Sequence, residues 1–322
     1  MLSIGKVRRL WTAVLALSII ASTSAQALDR VHVAKSGLAI AFAPIEVGTE
    51  AKIWDSVGIT VESVLLGGDA AVERALTAGE IDVGLGSGPG MGYRVKGVPA
   101  IAVAATAGPP NSFKIVVRPD SPIRSVDDLK GKRVAVTSAG SLTDWLVREL
   151  ARQKGWGPDG IESTPLGGQR AEMAAMKAGD VDGVVVTSGP AYDYEEHHEA
   201  RVLMSFGEIV KDFHTHVLVA SDALIANNPD LLRRFLKGWF MTIAYMKAHP
   251  DTGIRIAARS LNISESACAK AYPGDMAMMS DDGAFNPAAI ETIRRSLQQL
   301  GILDSEPDAK ALYDDRFVPV KF

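Results

Sequence analysis

Residues 67–82 read GGDAAVERALTAGEID, and residues 167–182 read GGQRAEMAAMKAGDVD. The two stretches align without a gap and share Gly67/Gly167, Gly68/Gly168, Ala71/Ala171, Ala75/Ala175, Ala78/Ala178, Gly79/Gly179 and Asp82/Asp182. Each opens on a glycine pair suited to a turn. Each then runs through residues that favour a helix and stops at a glycine, the residue best able to end a helix in the left-handed conformation. Each leads through an apolar strand into a small-residue loop before another helix, Ser87-Gly88-Pro89 in the first and Ser188-Gly189-Pro190 in the second. Part of the match is common helix chemistry. The paired Gly-Gly, Ala-Gly and Asp at one offset nevertheless point to two similar lobes.

Working outward, the same alternation continues on both sides. Val31–Ala34 reads as a short buried strand, Ala43–Trp54 as a helix, Ile59–Val64 as an alternating strand, Ile81–Leu85 and Ala100–Thr106 as apolar strands. A second round has a helical turn at Ser125–Leu129, strands at Arg133–Thr137 and Ile161–Pro165, a helix at Ser141–Lys154, and a strand at Asp182–Thr187. Strands alternating with helices of this length predict an α/β fold with a mainly parallel sheet. A further strand at His214–Ala220 precedes a helical tail, with helices at Asp230–His249, Ser264–Met279 and Pro287–Leu300. Pro229 and Pro250 bound the long one, since proline suits a first helical turn and stops an interior.

The N-terminus has Lys6, Arg8 and Arg9, an apolar run at Leu10–Ile20, and a small-x-small site at Ala25-Gln26-Ala27. This is the pattern of a signal peptide cleaved after residue 27. The run is short against the ~20 residues that span a bilayer. No cysteine near the site offers a lipid attachment point. The chain carries 34 basic and 38 acidic residues, and loss of the leader's three cations makes it more acidic still. That excludes a general nucleic-acid surface, which is basic. Cys268 is the single cysteine, so no internal disulfide and no cysteine metal cluster is available.

Several segments together carry a resemblance. They are Ala78-Gly79-Glu80-Ile81-Asp82, Lys96-Gly97-Val98-Pro99, Asp120-Ser121-Pro122-Ile123-Arg124, Asp127-Asp128-Leu129-Lys130-Gly131-Lys132-Arg133-Val134, Gly140-Ser141, Ala178-Gly179-Asp180-Val181-Asp182 and Asn228-Pro229. In order and spacing the chain resembles the nitrate/taurine/sulfonate class of periplasmic solute-binding proteins, the SsuA/THI5-like group. The resemblance implies a type II periplasmic-binding fold: two α/β lobes joined by crossing hinge strands around a ligand cleft. Residues 28–120 with 220–322 would form lobe one and residues 121–219 lobe two. It implies a monomer that captures a small molecule by hinge closure and delivers it to an ABC-transporter permease in the inner membrane. A sensor or chemoreceptor partner, or a pyrimidine (thiamine-precursor) binder on the same fold, is the alternative.

In open α/β sheets ligands sit beyond the carboxyl ends of the strands, where loops lead into helix N-termini and free N–H groups favour anions. Five loops fit that description: Lys35, Ser36 and Gly37 with Phe42; Gly67 and Gly68; Ser87 and Gly88; Ser138, Gly140, Ser141 and Thr143; and Thr187 and Ser188 with Gly189. His214 and His216 alternate near the hinge, and His214 joins the candidate ligand contacts. Each has a plainer reading. Ser141 and Ser188 suit N-caps, the glycines suit turns, Lys35 suits a solvated surface, and Phe42 suits a core. Arg170 follows Gly167-Gly168 and lies within reach of the cleft or of solvent. These loops favour a small sulfonate or carboxylate, although none contains an arginine.

Catalytic and cofactor signals are weak. His197-His198 among glutamates fits a polar helix end better than a metal site. Met276, Met278 and Met279 fit helix packing. No G-x-S-x-G elbow, Walker A or Rossmann fingerprint is present. The expectation is a binding protein with no catalytic residues, no metal and no cofactor.

Overall fold

The computed structural model describes residues 28–157 and 159–322; the signal peptide expected at residues 1–27 lies outside them. The first half builds β1 (Asp29–Lys35), α1 (Pro44–Glu50), α2 (Ile53–Ser56), β2 (Ile59–Leu65), α3 (Asp69–Ala78), β3 (Val83–Gly86) and β4 (Ala100–Ala107). The second builds β5 (Phe113–Val117), β6 (Arg133–Val136), α4 (Leu142–Gln153), β7 (Glu162–Pro165), α5 (Gln169–Ala178), β8 (Gly183–Thr187), α6 (Ser188–Glu196) and β9 (Arg201–Ser205). The tail adds β10 (His216–Ser221), α7 (Asp222–Asn227), α8 (Pro229–Ala248), α9 (Pro250–Leu261), α10 (Glu265–Met278) and α11 (Pro287–Gln299).

Two five-stranded sheets form, in the orders β2-β1-β3-β10-β4 and β7-β6-β8-β5-β9. The order is the same in both if β6, β7 and β8 stand for β1, β2 and β3. In each sheet the fourth place is taken by an antiparallel strand that follows a crossing between the sheets: β5 opens the second sheet, and β10 returns to the first. β10 pairs with β3 and β4, and β5 with β8 and β9. By strand pairing the chain therefore changes sheets before residue 113 and again before residue 216. The boundaries expected at 120 and 220 lie a few residues beyond these crossings. The strand that follows each crossing is itself a member of the sheet it enters.

The repeat has a structural cause at each shared position. Gly79 and Gly179 end their helices with φ of 71° and 85°, where a side chain would be strained. Asp82 accepts a hydrogen bond from the His32 N–H at 2.8 Å, and Asp182 accepts one from the Arg133 N–H at 2.9 Å. Asp82 thus holds the middle of β1, and Asp182 holds the first residue of the corresponding strand β6.

α1, α8, α9 and α10 pack on one face of the first sheet, with Trp54 stacked on Phe235 at 5.5 Å. A second core joins the two halves. There Trp145 of α4 stacks on Phe213 at 4.5 Å and donates to Gln299 at the end of α11 at 2.8 Å. The helix expected over Ala43–Trp54 divides at Lys52, whose φ is 59°. Pro250 both stops α8 and opens α9. Met276, Met278 and Met279 are buried, in keeping with packing. Among the described residues no helix is long and apolar enough to cross a membrane.

Candidate ligand-binding cleft

A cavity of about 720 Å³ lies between the two sheets. Its walls come from the loops that leave β1, β2, β3, β6, β7 and β8 and from the first turns of α3, α4 and α5, together with Phe113 and His216. These loops lie at the carboxyl ends of the parallel strands, where an α/β sheet collects its binding groups.

Seven of the expected site residues meet there: Ser36, Phe42, Gly67, Gly68, Ser87, Thr143 and Thr187. The others have partners elsewhere. Lys35 is not a free cation, because its Nζ lies 2.6 Å from Glu46 Oε1 with the side chain only 12% exposed. Gly88 is small for packing: a methyl there would stand 2.7 Å from the His214 carbonyl oxygen and 2.9 Å from Ile293. Ser141 caps α4 and its hydroxyl donates to the Ser138 carbonyl at 2.7 Å. Gly140 takes a φ of 76° and gives its N–H to Asp144 at 2.9 Å. Ser138 faces Gly68, where an added methyl would meet its hydroxyl at 3.0 Å. Ser188 donates its hydroxyl to Asp275, and both are buried. His214 accepts the N–H of Asn286 at 2.8 Å, at the start of α11. None of these lines the cavity.

Of the two histidines it is His216 that borders the cavity. Its ring sits edge-on to Phe42 at 4.6 Å and tilted to Phe113 at 5.9 Å. Burial lowers its pKa to about 3, so the imidazole is neutral. Together with Leu38, Leu142 and Val185, these rings give a largely apolar interior.

The polar groups are concentrated at helix starts. Asp69 in the first turn of α3 is buried and accepts the Ser87 hydroxyl at 2.5 Å. Its Oδ1 has no hydrogen-bond partner, and burial raises its pKa despite the bonds from Ser87. Glu172 in the first turn of α5 is 1% exposed. Burial pushes its carboxyl to about 7, and its Oε1 is unpartnered. Arg170 also borders the cavity but is exposed to solvent.

The two lobes touch at the cavity rim. Thr187 donates to the Leu38 carbonyl at 2.9 Å. A methyl on Gly67 would stand 2.9 Å from the Gly167 carbonyl oxygen. One glycine of each pair singled out by the repeat, Gly67 and Gly167, thus faces the other lobe. Asp69, Phe113, Gln169 and Glu172 escaped the sequence reading. The acids sit in helix first turns, where a carboxylate is expected for stability alone, and Phe113 belongs to a crossing strand.

Three comparisons bear on this architecture. The sequence model of the NMT1/THI5-like family matches residues 40–253, well over half of the chain. A protein of Escherichia coli (strain K12) named as an aliphatic sulfonates-binding protein is 31% identical over 140 residues, 43% of this chain and 41% of that relative's length. The match therefore spans about two fifths of that relative. Among solved structures, the alkanesulfonate-binding protein SsuA of Xanthomonas axonopodis pv. citri, bound to MOPS, superposes with a TM-score of 0.72 at 16% identity, over 90% of this chain and 96% of its own. The desulfurization enzyme DszB superposes with a TM-score of 0.63 at 18% identity, over 89% and 97%. Two sheets of like order, two chain crossings and a cleft between them make this the periplasmic-binding-protein fold, and the chain belongs to the NMT1/THI5-like family.

Proposed function

We propose that this protein is the periplasmic solute-binding component of an ABC-type importer, which encloses a small organic molecule between its lobes and presents it to a membrane permease. The observation that carries this reading is the cavity of about 720 Å³ whose walls come from corresponding loops of both sheets. A solute held there contacts both lobes only when they are together. It therefore binds the closed arrangement more tightly than an open one and shifts the population towards it. The crossings before β5 and before β10 are the two places where the chain passes between sheets, and domain closure is absorbed by a few residues at such element ends.

A binding role is also supported by the chemistry of the only cysteine. Cys268 is buried on α10, does not border the cavity, and has its thiol pushed up to about 12. A nucleophilic cysteine requires the opposite shift.

The test is a thermal-shift screen of the exported chain against organic sulfonates, carboxylates, nitrate, taurine, amines and pyrimidines. A solute at ~100 times its dissociation constant adds about 2.7 kcal/mol of stability, and the bound compound is expected back chemically intact. Conversion of that compound on the protein would overturn the reading in favour of an enzyme. Fractionation of cells for the processed chain tests the periplasmic placement.

A further inference from the structure

The cleft is large for a small ion. Its volume of about 720 Å³ holds roughly two dozen waters at ~30 Å³ each. A solute the size of nitrate or taurine displaces only a few of them and leaves the rest against apolar walls, where water is unfavourable. Closure leaves little of this volume to remove, because the lobes already meet. Thr187 donates to the Leu38 carbonyl at 2.9 Å, and Gly67 faces Gly167.

The walls carry little charge. The ionisable residues that border the cavity are Asp69, Arg170, Glu172 and His216. Burial raises Asp69, carries Glu172 to about 7 and lowers His216 to about 3, which favours the neutral form of each. Arg170 is exposed at the rim. The neutral polar side chains are already engaged within the protein. The hydroxyls of Thr137 and Thr143 lie 2.9 Å apart, Ser87 donates to Asp69, and Gln169 donates to the Tyr194 hydroxyl at 2.9 Å. Leu38, Phe42, Phe113 and Leu142 supply apolar wall, so a solute gains there chiefly by burying apolar surface of its own.

At the mouth the apolar wall runs out to solvent. Leu65 is the last residue of β2, an edge strand. It borders the cavity and is nevertheless 49% exposed. Its neighbour Val64 does not border the cavity, as expected where successive strand residues face opposite sides. The other lobe supplies Leu166, which precedes Gly167-Gly168 as Leu66 precedes Gly67-Gly68. We propose that the cleft selects an elongated, uncharged organic solute of at least two-ring length, whose apolar body lies along Phe42 and Phe113 and whose outer end rests on Leu65, which thereby reads solute length. This rests on the solute-binding reading above and sets the size and charge of its solute.

The experiment is titration calorimetry of the exported protein with benzyl alcohol, 4-phenylbenzyl alcohol and taurine, in wild type and Leu65→Thr. The two alcohols share a head group and differ by one ring. Wild type is expected to bind the two-ring alcohol one-to-one and about tenfold or more tighter than the one-ring alcohol, since the second ring buries further apolar surface. L65T keeps a residue that favours strands and removes apolar reach at the mouth. It should weaken the two-ring alcohol several-fold and leave the one-ring alcohol unchanged, because the shorter body does not extend to the mouth. The melting temperature of empty L65T should match wild type, as the side chain is half exposed. Equal affinity for the two alcohols, or tighter binding of taurine, overturns the size and charge of the solute while leaving a solute-binding protein. An equal loss for both alcohols in L65T, or none for either, overturns the role of Leu65. Absence of binding by either alcohol up to its solubility limit overturns the class as stated, and the solute-binding reading is then decided by the wider screen.

Discussion

A methyl group at Gly67 would have its nearest neighbour not in its own lobe but in the facing loop, at the carbonyl oxygen of Gly167, 2.9 Å away. Gly67 is absent from the positive-φ residues, so alanine there meets no backbone strain, and the contact alone decides the outcome. G67A is expected to leave the urea midpoint of the empty protein within about 0.5 kcal/mol of wild type. It should weaken binding of any cleft solute several-fold, because the lobes must stay a few tenths of an ångström further apart. Calorimetry with a solute from the screen checks this, and an unchanged affinity would show that the two loops do not meet in the bound state. Other single residues were less legible. Period-two spacing groups His214 with His216, yet β10 begins only at His216 and its pairing with β4 is irregular there. His214 therefore turns to the start of α11 and His216 to the cleft. Lys35 looks like an anion partner until the fold brings Glu46 from α1 beside it, which local sequence does not reveal.

At the scale of elements, α8 shows packing overriding propensity. Gly238 sits in its interior, where alanine ordinarily gains about 1 kcal/mol. Here an added methyl would stand 2.6 Å from the Trp54 ring, and a methyl added on Gly48 of α1 would likewise stand 2.6 Å from Trp54 Nε1. The indole is fixed further by its N–H bond to the Ile45 carbonyl at 3.0 Å and by its stacking on Phe235, so it cannot yield. G238A is therefore expected to destabilise by about 1–3 kcal/mol, the usual cost of overpacking a filled core. Equilibrium urea unfolding reads the sign directly, and a stabilised variant would mean that the ring has room to move. The same contrast explains which elements the sequence discloses. α3 and α5 are legible because glycines bracket a full helix. β5 and β9 are short, lie without the glycine punctuation of the repeat, and owe their place to pairing with distant strands. Pro250 marks the end of α8 correctly but conceals α9, since the proline that stops one helix also opens the next.

For the whole molecule, burial has left several acids that hold protons well above their ordinary range. Glu73 titrates at about 8, and Glu172 and Asp275 at about 7, each raised by burial, and Asp69 is raised for the same reason. In the unfolded chain these groups ionise near their ordinary values of 3.8 for Asp and 4.5 for Glu. Between those values and 7 to 8 the folded protein binds more protons, so stability is lost as pH rises through that window. His214 and His216 act in the opposite direction. Their folded values fall to about 4 and 3, against 6.5 ordinarily, so the unfolded chain binds more protons as pH drops below about 6.5 and stability falls there too. The four acids outnumber the two histidines, so stability falls with rising pH from about 5 to 8, less steeply below 6.5, where the histidines oppose the trend. Asp275 is the informative group, because it joins α10 to Ser188 of α6 across the two lobes. D275N keeps an acceptor for the Ser188 hydroxyl and removes one titration, which is worth at most about 1.4 kcal/mol per pH unit where that group titrates. Urea midpoints at intervals from pH 5 to 8 should fall across the range in wild type and fall less steeply in D275N. A wild-type midpoint that climbs from pH 6 to 8 would show that these carboxyl groups are ionised in the folded protein, and parallel curves would place the effect on acids other than Asp275.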